Sequence, residues 1–292
     1  MSRKVIITVA PTSNFHGKEK NPMLPYHADE IADTLYDCYN AGAAIAHLHF
    51  RDKEGIPTND IEILRGVVEA VQKKTPKIIL EPSTAPANRA DRATTVDDGL
   101  SSLEVGAEMA SLDMGLSGGP SMCPELEGPY HMNMWTRDWL INAAKMMTER
   151  NIKPELEIFN HSGIEDAINL LIKPGIIAEP ASFSLVLNMM HNQGCVEFSM
   201  ENITHMIRKL PPNSHFGAIG IGPAQLPANL TAVIFGGNCR VGMEDNIYFA
   251  RGELAKSNAQ LVERIAARIR ELGFEVATPD EARELLGIVK KC

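Results

Sequence analysis

Eight short β-rich runs alternate with amphipathic helical patterns along this chain, and no other feature restricts its fold as strongly. Strands are expected at Val5 to Val9, Ala44 to His49, Ile78 to Glu81, Glu108 to Leu112, Glu155 to Phe159, Ser182 to Leu187, His215 to Ile219 and Cys239 to Val241. Helical periodicity predicts helices over His27 to Tyr39, Ile61 to Lys73, Val96 to Val105, Arg137 to Arg150, Ile164 to Ile172, Met200 to Leu210, Pro227 to Phe235 and Lys256 to Leu272. An unbroken series of βα units over 292 residues implies an α/β protein, a parallel (β/α)8 TIM barrel with right-handed crossovers. No linker or low-complexity stretch interrupts it, so residues 1–292 are read as a single barrel domain. The longest irregular segment, Leu116 to Met134, is expected to be a βα loop over the mouth, as is Pro11 to Tyr26.

A barrel of this kind does its chemistry at the C-terminal ends of its strands and in the loops that follow. That rule selects His47, His49 and Arg51; Glu81, Ser83 and Thr84; Asp113; Glu157, Asn160 and His161; His191; and Arg240, Glu244 and Asp245. In a strand, successive side chains face opposite ways, so His47 and His49 share one face while Ala46 and Leu48 share the other. Two imidazoles on one rigid strand can share a metal ion, but a site needs a third ligand. The segment CRVGMEDN offers one. Gly236, Gly237 and Gly242 give it a tight turn that brings Glu244 and Asp245 into the mouth, and two histidines with one carboxylate form a common catalytic zinc arrangement. Glu244 is the expected carboxylate ligand, and Asp245, paired with Arg240, stays ionised and can serve as a base.

In PELEIF the period of two puts Glu155, Glu157 and Phe159 on one face. Carboxylates facing a barrel interior are costly unless they bind something. Glu157, nearer the mouth, is the better substrate contact, and Glu155 a deeper structural group. Ser83 offers a hydroxyl, or caps a helix. His161 and His191 are left out of the metal set as ordinary loop histidines, and no GxSxG, P-loop or dinucleotide-binding glycine pattern is present.

Composition narrows the partners. A net charge of −9 with no basic run argues against nucleic acid, and no apolar stretch approaches a membrane span. The five cysteines are scattered and odd in number, which suits a reducing, cytoplasmic compartment rather than a disulfide framework. The apolar run Val5 to Ala10 ends at Pro11 and reads as a first strand, not a signal peptide.

HLHFRDKEGIPTND, EPST, MASLDMG, KPELEIF, RVGMEDN, LAKSNAQLVERI and ATPDEAR together resemble the β-keto acid cleavage enzymes, nearly end to end. The resemblance implies a zinc-type divalent ion (Zn2+), and condensation of a β-keto acid with acetyl-CoA to give acetoacetate and a new CoA thioester. It assigns His47, His49 and Glu244 as metal ligands and Arg240 with Asp245 as the dyad that takes the substrate proton. Ser83 becomes a contact to the substrate carboxylate, and Glu157 or Glu155 a reader of its distal group. A homo-oligomer, dimer or tetramer, is expected.

The chain also departs from the family pattern. Asn14 and Phe15 stand where members bearing an amine-recognising acid show Glu; GLSGGP replaces GxNFG; and GPAQL replaces GRHQF. The metal and reaction type survive these changes, while 3-keto-5-aminohexanoate does not follow as substrate. A cationic or hydroxylated substituent is open, and Phe15 and Met114 are expected to lend apolar surface beside it. The alternatives are a zinc hydrolase on the same barrel, with Asp245 activating water, and a non-catalytic binding protein, which the presence of Asp245 counts against.

Overall fold

The expected strands form one parallel sheet in a computed structural model that describes residues 2–120, 130–189, 192 and 194–289. They are β1 (Ile7–Val9), β2 (Ile45–Leu48), β3 (Ile79–Pro82), β4 (Met109–Asp113), β5 (Lys153–Ile158), β6 (Ser182–Leu187), β7 (His215–Gly220) and β8 (Asn238–Val241). Their hydrogen-bonded order is β3-β2-β1-β8-β7-β6-β5-β4, so the sheet curls until first and last strands pair, as a (β/α)8 barrel requires. At the β3–β4 seam side chains replace the ladder. Thr84 Oγ1 donates to Ser111 O at 2.8 Å, and the Thr84 N–H reaches Ser111 Oγ at 3.4 Å.

Around the sheet run α1 (Ala28–Ala41), α2 (Ile61–Lys74), a 3-10 segment (Val96–Glu104), α3 (Arg137–Glu149) and α4 (His161–Asp166), which continues as a π-helical turn (Ala167–Ile172). Then follow α5 (Met200–Lys209), α6 (Gln225–Ile234), α7 (Asn258–Glu271) and α8 (Pro279–Leu286). Polar residues set several starts: Asp60, Thr136, Asn160, Ser199 and Ser257 each accept a backbone N–H from the first turn of the helix that follows. Where an α-helix is expected over Val96 to Val105 the chain is 3-10. Its Gly99, Ser101 and Ser102 are weak helix formers, and Ser102 Oγ donates to Ser83 O at 2.6 Å, pulling the segment onto the β3 loop.

Two further differences concern the ends of the barrel. Leu116–Pro120 and Tyr130–Met134 pair as an antiparallel hairpin, so the segment read as irregular is ordered at both its ends; residues 121–129 lie outside the described residues, as does His191. Beyond the last expected helix, Glu275–Val276 pairs parallel with Lys4–Val5, and α8 follows, capped by Thr278 with Pro279 in its first turn. Leu286 and Ala282 of α8 pack with Ile6, Ile45, Ile79 and Met109 and close the floor under the strand starts.

Strand parity then sorts the side chains into layers. Ala46, Leu48, Leu80, Leu112, Leu156, Phe183, Leu185 and Val241 face outward into the two large apolar layers beneath the helices. Arg240, His47, Glu81, Ser111, Glu155, Glu157 and Ser184 are buried on the opposite parity, above an apolar floor. A barrel interior this polar is expensive for the fold, which is the reason to look for function there.

Candidate active site

The turn after β8 is fixed by Gly242. Its φ is +147°, and a Cβ there would come within 2.0 Å of Ala10 O, so only glycine fits where the turn crosses β1. The Glu244 N–H donates to Ala10 O at 3.1 Å, Gln225 Nε2 donates to Gly242 O at 2.9 Å, and the Met243 N–H donates to Asn258 Oδ1 at 2.8 Å. These bonds hold Glu244 and Asp245 over the strand ends. Glu244 Oε1 lies 3.4 Å from His49 Nε2 and 3.8 Å from His47 Nε2.

Arg240, inward on β8, is the hub. Its Nε and Nη2 fork onto Asp245 at 3.0 and 2.9 Å, Nη2 also donates to Glu244 Oε1 at 2.5 Å, and Nη1 donates to Glu157 Oε1 at 3.2 Å. Asn229 clamps its backbone, accepting its N–H at 2.8 Å and donating to its carbonyl at 2.7 Å. Burial works against the Arg240 charge, yet Asp245, Glu244 and Glu157 outweigh it. Burial likewise raises Asp245; the guanidinium pulls it back and Glu244 pushes it up again, leaving it at about 6, close to neutrality as a base requires. For Glu244 the balance tips the other way. Burial is opposed by Arg240, His49 and His47, and the carboxyl is held well below the usual range.

His47 is oriented from behind. Its Nδ1 is 2.9 Å from Glu81 Oε1, its partner across the β2–β3 register, which leaves Nε2 pointing at Glu244 with a free lone pair. Burial, with Arg240 adding to it, drives the ring well below its ordinary range, so the imidazole is neutral. Glu81 is raised well above its usual range by burial and then by Glu155. Glu81 and Glu155 each keep a buried oxygen without a donor.

The donor set fits a metal. Ligand atoms of His47, His49 and Glu244 lie within 4.8 Å of one another, and Glu244 Oε2 is buried with no partner. Ligands at about 2.1 Å around a tetrahedral ion stand about 3.4 Å apart, which the His49 to Glu244 separation already meets.

The other selected residues divide. Ser83 Oγ accepts from the Ala85 N–H at 3.1 Å and lies 3.5 Å from Ser111 Oγ, and its own hydrogen has no acceptor among the described residues. Glu157 meets Arg240 Nη1 at 3.2 Å, and Glu155, two residues earlier on the same face, groups with His47, Glu81 and Glu157. Arg51 is spent on structure: it donates to the carbonyls of Ser13, His16 and Gly55 and stacks on Tyr26, tying down the first loop. Asn160 caps α4, and His161 pairs with His205 between α4 and α5, away from the metal-capable group. Asn14 is engaged with Pro86 O and the Asn88 N–H, and Phe15 is 57% exposed. Met114 does not line the site as expected. It packs outward with Leu112, Leu156 and Ile164, because one residue past Asp113 the parity is reversed.

Fold and site together define a barrel enzyme equipped for acid–base chemistry beside a metal-capable donor set. The model of the beta-keto acid cleavage enzyme family matches residues 4–288, and the chain belongs to that family. It is 38% identical over 290 residues to the 3-keto-5-aminohexanoate cleavage enzyme of Fusobacterium nucleatum subsp. nucleatum, covering 99% of this chain and 100% of that protein. It is 32% identical to the 3-oxoadipate:acetyl-CoA acetyltransferase of Cupriavidus necator, covering 99% and 96%. Among solved structures, a binary complex of ObcA with oxaloacetate shares the fold, with a TM-score of 0.70 and 20% identity over 92% of this chain and 68% of that one.

Proposed function

We propose that the chain condenses a β-keto acid with acetyl-CoA, giving acetoacetate and the CoA thioester of the remaining acyl group, with one zinc-type ion held by His47, His49 and Glu244. The observation that carries this reading is that Arg240 bridges the donor set and the acid, donating to Glu244 Oε1 at 2.5 Å and to the Asp245 carboxylate at 2.9 and 3.0 Å. Relatives whose names pair acetyl-CoA with 3-oxoadipate and with 3-dehydrocarnitine support the co-substrate, and their differing names leave the substituent open.

The bound ion supplies Lewis-acid stabilisation of negative charge developing on the keto oxygen. Asp245 takes the proton from the carbon between the two carbonyls, and Arg240 holds the acid in place and favours its ionised form. Ser83 donates its free hydrogen to the substrate carboxylate. The carbanion forms a bond to the acetyl carbonyl carbon and CoA thiolate leaves. That thiolate then attacks the original ketone, the old carbon–carbon bond breaks, and the departing acetoacetate carbanion takes the proton back from Asp245. Atoms and electrons balance without a redox cofactor. Cytoplasmic placement is in keeping with the free thiols of Cys38, Cys195 and Cys239, and exposed Met200, Ile234 and Phe235 on α5 and at the end of α6 favour a homo-oligomer.

Incubation of the zinc-loaded protein with a panel of β-keto acids is expected to yield acetoacetate only when acetyl-CoA is present. Substrate breakdown that ignores acetyl-CoA would instead establish a zinc hydrolase. A second expected result concerns Glu81→Gln. Replacing the carboxyl acceptor behind His47 with an amide should weaken zinc binding about 10–100-fold in competition with a chelator. Undiminished affinity would mean that packing alone orients the ring.

A further inference from the structure

His161 and His205 meet across α4 and α5 with ring centroids 4.8 Å apart and planes at 69°, and neither ring has a hydrogen-bond partner among the described residues. They line a cleft of about 410 Å³, a volume that suits a small molecule. On its first wall His161, Ile164, Glu165 and Ile168 recur at the three- and four-residue spacing of one helix face, and on its second His205 and Lys209 are four apart. The π-helical turn Ala167–Ile172 runs through the first wall, and such turns occur frequently at functional sites. Cations outnumber anions here. Lys173 gives one hydrogen to Asn169 Oδ1 at 2.9 Å, Lys209 gives none to the described residues, and the one acid, Glu165, forms no ion pair among them. Even with both imidazoles neutral, two lysines against one glutamate leave the cleft positive, in a chain whose net charge is −9.

We propose that this cleft binds a phosphate ester, with His161, His205 and Lys209 donating to the phosphate oxygens and Lys173 adding positive charge. Clustered donors that find no acceptor in the protein are what an anion satisfies, since it takes hydrogens from several at once and cancels their mutual repulsion. Phosphate is favoured over a carboxylate because it offers three terminal oxygens and close to two charges, matching the three donors. Buried Ile164 and half-buried Ile168 lie between the charged groups and give the organic part of the ester an apolar wall. Burial first, then His205 and Lys209, lower the His161 ring from its ordinary range, and a bound anion among these groups, Lys173 and Glu165 should raise it again. The cleft shares no residue with the metal-capable groups, so the proposal does not rest on the condensation reading.

The test follows the imidazole protons of the full zinc-loaded chain by NMR, with the two signals identified by their disappearance in His161→Gln and His205→Gln. Inorganic phosphate should shift both signals and saturate, whereas chloride at the same ionic strength should not. Lys209 is exposed, so Lys209→Gln should fold normally, and the phosphate concentration giving half the shift should rise at least about tenfold in it, the loss of one charge-assisted hydrogen bond. No shift with phosphate, the same shift with chloride, or an unchanged midpoint in Lys209→Gln overturns the proposal. A second titration identifies the source of the phosphate. A shift with acetyl-CoA that its 3′-dephospho form fails to reproduce assigns the cleft to the phosphate of that thioester, and any other response assigns it to a separate phosphate ester.

Discussion

Asp245→Asn should keep its metal and lose about 10² to 10⁴ of its turnover, the usual cost of removing a general base. The amide has the shape of the carboxylate but cannot accept the substrate proton. It also breaks the fork from Arg240, because its Nδ2 presents hydrogens where the guanidinium presents hydrogens, and only one of the bonds at 2.9 and 3.0 Å survives. A structural role would show the same loss of turnover, so a second readout is needed. In deuterated water without acetyl-CoA, the unmodified protein should exchange the hydrogens between the two carbonyls of the β-keto acid, and the variant should not. Asp245 is not among the proposed ligands, so zinc content by elemental analysis should be unchanged. Near-normal turnover or exchange in Asp245→Asn would place the base on another residue.

The barrel is visible in the sequence because each strand is short, apolar on its outward parity and separated from the next by a helix with its own period. The same parity places His47 and His49 on one face, and Gly242 announces the turn that carries Glu244 and Asp245. What a single run cannot reveal is register between strands. That Glu81 stands behind His47, and Asp113 beside Glu157, depends on the pairings of β2 with β3 and β4 with β5. In the sequence both acids look like ordinary strand ends. Arg51 misleads for the opposite reason. It follows the histidines at a strand end, but two of the three carbonyls it serves, those of Ser13 and His16, belong to a loop more than thirty residues earlier in sequence. The hairpin beyond β4 is hidden by its own composition, since Gly118, Gly119 and Pro120 read as breakers although they pair with the Tyr130 strand.

Replacing either histidine by alanine should empty the site and reduce turnover to background. Each removes one of the three proposed ligands, and two ligands do not retain a catalytic zinc. The two variants are not equivalent in cost. His47 is 1% exposed and its loss strips Glu81 Oε1 of a donor deep in the barrel, where Glu81 Oε2 already has none, so His47→Ala is also expected to destabilise the fold. The His49 side chain is 12% exposed at the mouth, and its loss leaves no such orphan, so His49→Ala separates metal binding from folding. Zinc at about 1,000 times its dissociation constant stabilises the protein that binds it by roughly 4 kcal/mol. The stripped, unmodified chain should therefore melt higher when zinc is returned and recover its turnover, while His49→Ala should show neither response. If His49→Ala still carries one zinc per chain, or its melting still rises with added zinc, the ion is held by another set. The group formed by His47, Glu81, Glu155 and Glu157, whose ligand atoms also lie within 4.8 Å of one another, would then be the place to look.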